Sequence, residues 1–132
     1  MELALTTTTS LSFEDAVAKM REALAQQGLA ILSEIDVQAT MKARLNVQVE
    51  PYLILSACNP PLAHQASQFD PTLGFLLPCN VVVWVASDVT HVQAMDPQLM
   101  VTIIDKPGLQ AVADQASGRL RRALGQLPTM VD

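Results

Sequence analysis

The stretch Pro78-Cys79-Asn80-Val81-Val82-Val83-Trp84-Val85-Ala86 decides how this chain folds. Residues 81–86 are apolar without the alternation of a strand that faces water, so both faces of the segment are expected to be covered. Its β-branched valines favour a pleated strand over a helix, and the run is too short to cross a membrane. We therefore expect this segment to be a central strand.

Strands and helices are predicted on both sides of this segment from hydrophobic periodicity. The predicted strands cover residues 2–8, 29–35, 52–58 and 89–95. Helices are predicted after Ser12, Asp36 and Asn59, whose side chains can cap a helix N-terminus. Residues 99–104 fit either a strand or a helical turn. Asp105 with Pro107 is expected to begin a final helix that carries the strongest helical stripe in the chain.

The order of these elements indicates an α+β fold, with a mostly antiparallel sheet and helices packed on one face. Late consecutive strands without crossover helices are typical of that class. A doubly wound α/β fold is the alternative, disfavoured because no glycine-rich phosphate-binding turn follows the first strand. A chain of 132 residues fits a single domain over residues 1–132.

Composition limits the partners of this chain. Thirteen acidic and eight basic residues give a net charge of −5, which does not favour nucleic acid or anionic lipid. Neither a signal peptide nor a spanning segment is apparent, so we expect a cytoplasmic protein that does not enter the membrane. Half of the residues are hydrophobic. This apolar surplus, with Phe75, Leu76 and Leu77 in a predicted loop, favours a homodimer.

The two cysteines are the candidates for chemistry, because a reducing compartment keeps them as free thiols, ligands or a transient redox pair. Cys58-Asn59 and Cys79-Asn80 form two similar pairs that meet if their strands are neighbours. Two thiols within reach could bind a soft metal ion or form a disulfide couple. Cys58 precedes a helix N-terminus, which predicts a lowered thiol pKa.

Further side chains could complete such a site. The amides of Asn59 and Asn80 could orient a ligand, although Asn59 also has a capping role. His64 could supply a third metal ligand, and His91 or Met95 on the late hairpin could do the same. A surface histidine or a core methionine is the ordinary structural role of such residues.

Several motifs together resemble one family. The runs Glu34-Ile35-Asp36-Val37, Leu53-Ile54-Leu55-Ser56-Ala57-Cys58-Asn59-Pro60, Gly74-Phe75-Leu76-Leu77-Pro78-Cys79-Asn80-Val81-Val82-Val83 and Met95-Asp96-Pro97 are similar to the domain of unknown function three hundred and two, DUF302. The resemblance covers almost the whole chain. It implies a small α+β fold of the TATA-binding-protein-like type, usually as a homodimer, and no established activity.

Three functions remain open at this point. The first is a binding or carrier module that holds a small ligand or a soft metal ion beside Cys58 and Cys79. The second is a thiol enzyme or persulfide carrier that uses Cys58 as nucleophile, and the third is a structural or interaction domain with inert cysteines. We favour binding, because His64 follows Cys58 by nearly two helical turns and is poorly placed to act as its base. The sequence identifies no cofactor.

Overall fold

The computed structural model describes residues 4–72, 79–104 and 106–130, which contain five strands and five helices. The strands are β1 (Ala4–Thr9), β2 (Ala30–Asp36), β3 (Tyr52–Cys58), β4 (Cys79–Ala86) and β5 (Val89–Met95). The helices are α1 (Phe13–Gln26), α2 (Val37–Leu45), α3 (Pro60–Phe69), α4 (Gln98–Ile103) and α5 (Leu109–Leu124). Phe75, Leu76, Leu77 and Asp105 lie outside the described residues.

The five strands form one antiparallel sheet in the order β1-β5-β4-β3-β2. The α+β prediction is confirmed, and the doubly wound α/β alternative is wrong because the strands do not run parallel. β4 lies in the middle of the sheet, as its apolar sequence predicts. The β4–β5 hairpin turns at Ser87 and Asp88, which both have positive φ, as a two-residue type I′ turn requires.

One face of the sheet supports the main core. Leu55, Val81 and Ala94 are fully buried neighbours on adjacent strands, and they pack under α1 and α5. The prediction that helices pack on one face is confirmed, and burial alternates along β4, so the cover expected on its second face does not come from the described residues of this chain. Cys79, Val81 and Val83 are buried, whereas none of the alternate residues Asn80, Val82 and Trp84 is. The consequence is a sheet with one covered face and one open face.

The predicted helix starts are confirmed by side-chain caps. Ser12 accepts a hydrogen bond from the backbone N–H of Asp15 (3.1 Å), and Asp36 accepts one from Ala39 (2.9 Å). These bonds satisfy backbone donors that the first helical turn leaves without partners. Residues in the ambiguous 99–104 segment form α4. The last helix begins at Leu109 after Gly108, whose φ of 87° marks a left-handed position.

No helix in the described residues is long and apolar enough to cross a membrane.

Candidate functional site

The ends of β3 and β5 lie beside the starts of their neighbouring strands at one end of the sheet, and this follows from the antiparallel pairing. β2 and β4 begin where β3 and β5 end, because neighbouring strands run in opposite directions. Cys79, the first residue of β4, is therefore paired with Ala57, next to Cys58 at the end of β3. The segment that follows β5 leads into α4. This topology places two cysteines and α4 in one region.

Cys58 and Cys79 line the same cavity, whose volume is about 30 Å³. Cys79 is buried, at 8% exposure, and Cys58 is half-buried. Met100 on α4 also lines the cavity, and it is 2% exposed. The remaining wall is mostly apolar and comprises Leu29, Ala57, Asn59, Leu62, Ala63, Val112, Ala116 and Leu120. Three sulfur-bearing residues thus line one small, largely apolar space.

The surroundings keep both thiols protonated at neutral pH. Burial raises the pKa of Cys79 to about 11, with smaller contributions from the neighbouring Cys58 thiol and the Asp96 carboxylate. Burial also raises the pKa of Cys58. The expected lowering of the Cys58 pKa by the helix N-terminus is therefore wrong, because burial disfavours the charged thiolate. Neither thiol is a ready nucleophile at pH 7.

Asn59 fixes the outer side of the cavity. Its Oδ1 accepts a hydrogen bond from the backbone N–H of Leu62 (3.0 Å), so it caps α3 as predicted. Its Nδ2 donates to the carbonyl oxygen of Gly28 (2.9 Å), across to the loop that precedes β2. Gly28 has a φ of 72°, and a Cβ there would lie 3.1 Å from Asn59 Nδ2. Glycine at this position lets the two segments approach closely.

The carboxylate of Asp96 anchors α4, the helix that carries Met100. Its Oδ1 accepts hydrogen bonds from Ser117 Oγ on α5 (2.6 Å) and from the backbone N–H of Gln98 (3.0 Å). Arg121 Nη2 lies 3.8 Å from its Oδ2. A buried carboxylate is stable only with such partners, since an unpaired charge is costly to bury. Asp96 therefore positions the wall of the cavity and does not itself line it.

Other predicted site residues lie elsewhere. Asn80 follows Cys79, and the alternation of a strand turns it to the open face, where it accepts a hydrogen bond from Ser56 Oγ (2.9 Å). His64 is exposed on α3, and His91 stacks on Trp84 with ring centroids 5.0 Å apart. Neither these residues nor Met95 lines the cavity. Within the described residues no group of three or more His, Cys, Asp or Glu side chains is arranged to hold a metal ion.

Sequence reasoning missed Met100 and the anchoring role of Asp96. Met100 lies in the segment whose sequence fits strand or helix equally, so its direction could not be read from periodicity. Asp96 precedes Pro97, and this pair is a typical signal for the end of a strand, so the sequence suggests no further role for Asp96. Its partner Ser117 lies on the apolar side of α5. A buried hydroxyl group requires a hydrogen-bond partner, so Ser117 is the one sequence signal for a polar residue such as Asp96 beside this helix.

A family model described as domain of unknown function DUF302 matches residues 5–127. The chain belongs to the DUF302 family. A solved structure of an uncharacterized conserved DUF302 protein from Bacillus stearothermophilus is similar, with a TM-score of 0.89 and 24% sequence identity. The match covers 96% of this chain and 99% of that chain, and it supports the same fold. No curated protein matches this DUF302 chain.

Proposed function

We propose that this DUF302 domain is a binding or carrier module for a soft metal ion, Cu(I), held by the sulfur atoms of Cys58, Cys79 and Met100. The observation that carries the proposal is that all three residues line one cavity. Thiolate and thioether sulfur are the protein ligands that Cu(I) prefers. The sequence predicts binding near Cys58 and Cys79, and Met100 adds a third sulfur ligand to that predicted site.

The volume of the cavity favours an ion over an organic ligand. Pockets for drug-sized molecules measure about 300–1,000 Å³. The cavity that Cys58 and Cys79 help to line is about 30 Å³, enough for one or two bodies the size of a water molecule. A single metal ion matches a space of this volume, whereas an organic ligand exceeds it.

The ligand set favours Cu(I) over Zn(II). Zinc in proteins takes four ligands from cysteine, histidine and carboxylate, and a thioether is not among them. Cu(I) accepts few, soft ligands, so two thiolates and Met100 are sufficient. The exposed side chain of His64 is not required.

The raised pKa values make binding dependent on pH. The pKa of Cys79 is about 11 and that of Cys58 is also raised, so Cu(I) must displace a proton from each thiol at neutral pH. The apparent affinity should rise with pH, by up to about 100-fold per pH unit if two protons are released. Half-buried Cys58 lies on the outer side and would meet an incoming ion first.

The other hypotheses have less support. A thiol enzyme or persulfide carrier needs an activated nucleophile, and burial raises the pKa of Cys58 instead. His64 is exposed and does not line the cavity, which leaves Cys58 without the base that sequence analysis considered. An inert structural role for both cysteines is the remaining competitor, and metal titration separates it from the proposal.

The test is an anaerobic titration of the reduced protein with Cu(I) in competition with a chromophoric Cu(I) chelator. We expect one ion per chain. Met100→Leu should weaken the affinity by about tenfold, since one of three ligands is lost, with little loss of stability because the volume is nearly conserved. Met20→Leu is the matched control. Met20 is also fully buried, but it lies on α1 in the main core.

Two results would contradict the metal site. One is no binding above the level of a variant in which both cysteines are replaced by serine. The other is equal affinity for the Met100→Leu and wild-type proteins, which would remove the thioether from the ligand set. A loss of affinity in Met20→Leu equal to that in Met100→Leu would assign the effect to general core damage.

We also propose that the DUF302 chain acts as a homodimer in the cytoplasm. The apolar surplus of the sequence supports self-association. A reducing compartment keeps Cys58 and Cys79 free, which is the form that a Cu(I) site requires.

A further inference from the structure

The open face of the sheet is a continuous surface with residues from all five strands. One row crosses the whole sheet through paired residues, and it consists of Ile35, Ile54, Val82, Gln93 and Thr6. A second row consists of Tyr52, Trp84, His91 and Thr8, and a third of Ser33, Ser56 and Asn80. None of these twelve residues is buried. We define them as the open-face surface.

From this surface we infer a specific partner: a second copy of the chain docks its open face on the first, so that two sheets pack face to face. This inference rests on the homodimer proposed above and assigns the surface that forms it. It is argued independently of the sulfur cavity, the space lined by Cys58, Cys79 and Met100, which lies among α3, α4, α5 and the ends of β3 and β4.

The charge distribution favours a second copy. The open-face surface contains no Asp, Glu, Lys or Arg, in a chain with 21 such residues and a net charge of −5. Two copies that approach through this face bring no like charges into direct contact. A basic or acidic partner would find no complementary charge on it. Depletion of charged residues is also the compositional mark of an interface core.

The side chains of this face suit an isologous contact. Tyr52, Trp84 and His91 stack in a line across three strands, with ring centroids 6.0 and 5.0 Å apart. The row next to them contains Ile54, Val82 and Gln93, whose side chains are smaller than the three rings. A two-fold axis lets the three rings of one copy pack beside those of the other. Tyrosine and tryptophan are enriched at such contacts.

The area of the face is sufficient for a dimer of moderate affinity. Five strands about 4.8 Å apart and six to eight residues long at about 3.3 Å per residue give a projected area of roughly 450 Å². This is about half of the ~800 Å² per partner of standard interfaces, which corresponds to the low end of specific association. Sheets in a sandwich pack about 10 Å apart, which the partly exposed Ile54 and Val82 side chains allow.

The test is sedimentation of the whole protein across a concentration series, combined with fluorescence. Trp84 is the only tryptophan and belongs to the open-face surface, so its emission reports directly on this contact. We expect a wild-type dimer at micromolar concentration, with a red shift of Trp84 emission on dilution. Val82→Glu and the nearly isosteric Gln93→Glu should each weaken the dimer at least tenfold, because each places two like charges in the interface.

Val47→Glu is the matched control, since Val47 is 46% exposed and lies outside the sheet. It should leave the dimer unchanged. A wild-type chain that stays monomeric at 100 µM overturns both the homodimer and its surface. If the wild type and both open-face variants are dimers of equal affinity, the homodimer proposal stands and its assignment to the open-face surface is wrong. Equal weakening by Val47→Glu also overturns it, because the effect would then be one of net charge.

Discussion

The two faces of β4 have the same apolar sequence and different surroundings. Val81 and Val83 are fully buried under helices, whereas Val82 and Trp84 on the other face keep part of their surface exposed. The covered face leads at its end to Cys79 and the sulfur cavity. The open face begins with Asn80, whose amide is bonded to Ser56. An uninterrupted run of apolar residues thus supplies a core on one side and a candidate interface on the other.

This difference separates the two proposals physically. The cavity depends on strand ends, α4 and α5, so changes there should alter metal affinity and thiol chemistry. The open face consists of side chains that are not buried, so changes there should alter association with little effect on folding. Variants in adjacent positions of one strand can therefore distinguish the faces.

The largest effect is expected from a charge placed on either face of β4. Val83→Glu should destabilise the fold by more than about 4 kcal/mol, because a carboxylate would replace a fully buried side chain. Val82→Glu, one residue away, should lose less than about 2 kcal/mol, since its side chain can remain in water. Urea titration at submicromolar concentration compares the monomers. Similar losses for both variants would contradict the distinction between the faces.

The pH dependence of stability should reveal the burial of Cys79. Its pKa rises from an ordinary value of 9.0 to about 11 in the folded chain. The unfolded chain therefore loses this proton first, and the native state is stabilised fully below pH 9 and progressively less up to pH 11. The lost contribution is about 2–3 kcal/mol.

Urea titrations between pH 8 and pH 11 measure this contribution as the difference between wild type and Cys79→Ala. The variant lacks the titrating thiol, so its stability should fall less steeply over that interval. Parallel curves for the two proteins would show that Cys79 ionises as easily in the folded chain as in the unfolded one.

The two Cys-Asn pairs provide a smaller comparison. Asn59→Ala should destabilise by about 1–2 kcal/mol, because it removes the cap of α3 and the bond to Gly28. Asn80→Ala should lose less than about 0.5 kcal/mol, since the bond that its amide oxygen accepts from the Ser56 hydroxyl lies on an exposed surface. Denaturation midpoints decide the order. An Asn80 effect as large as that of Asn59 would mean that the open face contributes to the fold of the monomer.

Much of the fold could be predicted from local signals. The caps Ser12, Asp36 and Asn59 give the starts of three helices, and the strand 52–58 has the bounds that its apolar run predicts. The sequence could not predict what packs on each face of β4, because an apolar run has the same pattern whether a helix or a second chain covers it. The pairing of Cys79 with Ala57 follows from strand order, which periodicity does not give.

The candidate site was predictable only in part, for the same reason. Cys58 and Cys79 are identifiable as rare reactive residues, and their shared cavity follows once β3 and β4 are neighbours. Met100 reaches the cavity through the turn after β5, a contact between distant segments that leaves no local pattern. The pKa of Cys58 was predicted with the wrong sign because the helix dipole is visible in sequence and desolvation is not.

The most direct test of the sulfur site is alkylation of the folded protein with iodoacetamide, followed by mass spectrometry, with and without one equivalent of Cu(I). Without metal, half-buried Cys58 should react slowly and buried Cys79 more slowly still, since both pKa values are raised. With Cu(I), both thiols should be protected together, and Met100→Leu should reduce that protection while Met20→Leu should not. Protection of one cysteine alone, or of neither, would contradict the account.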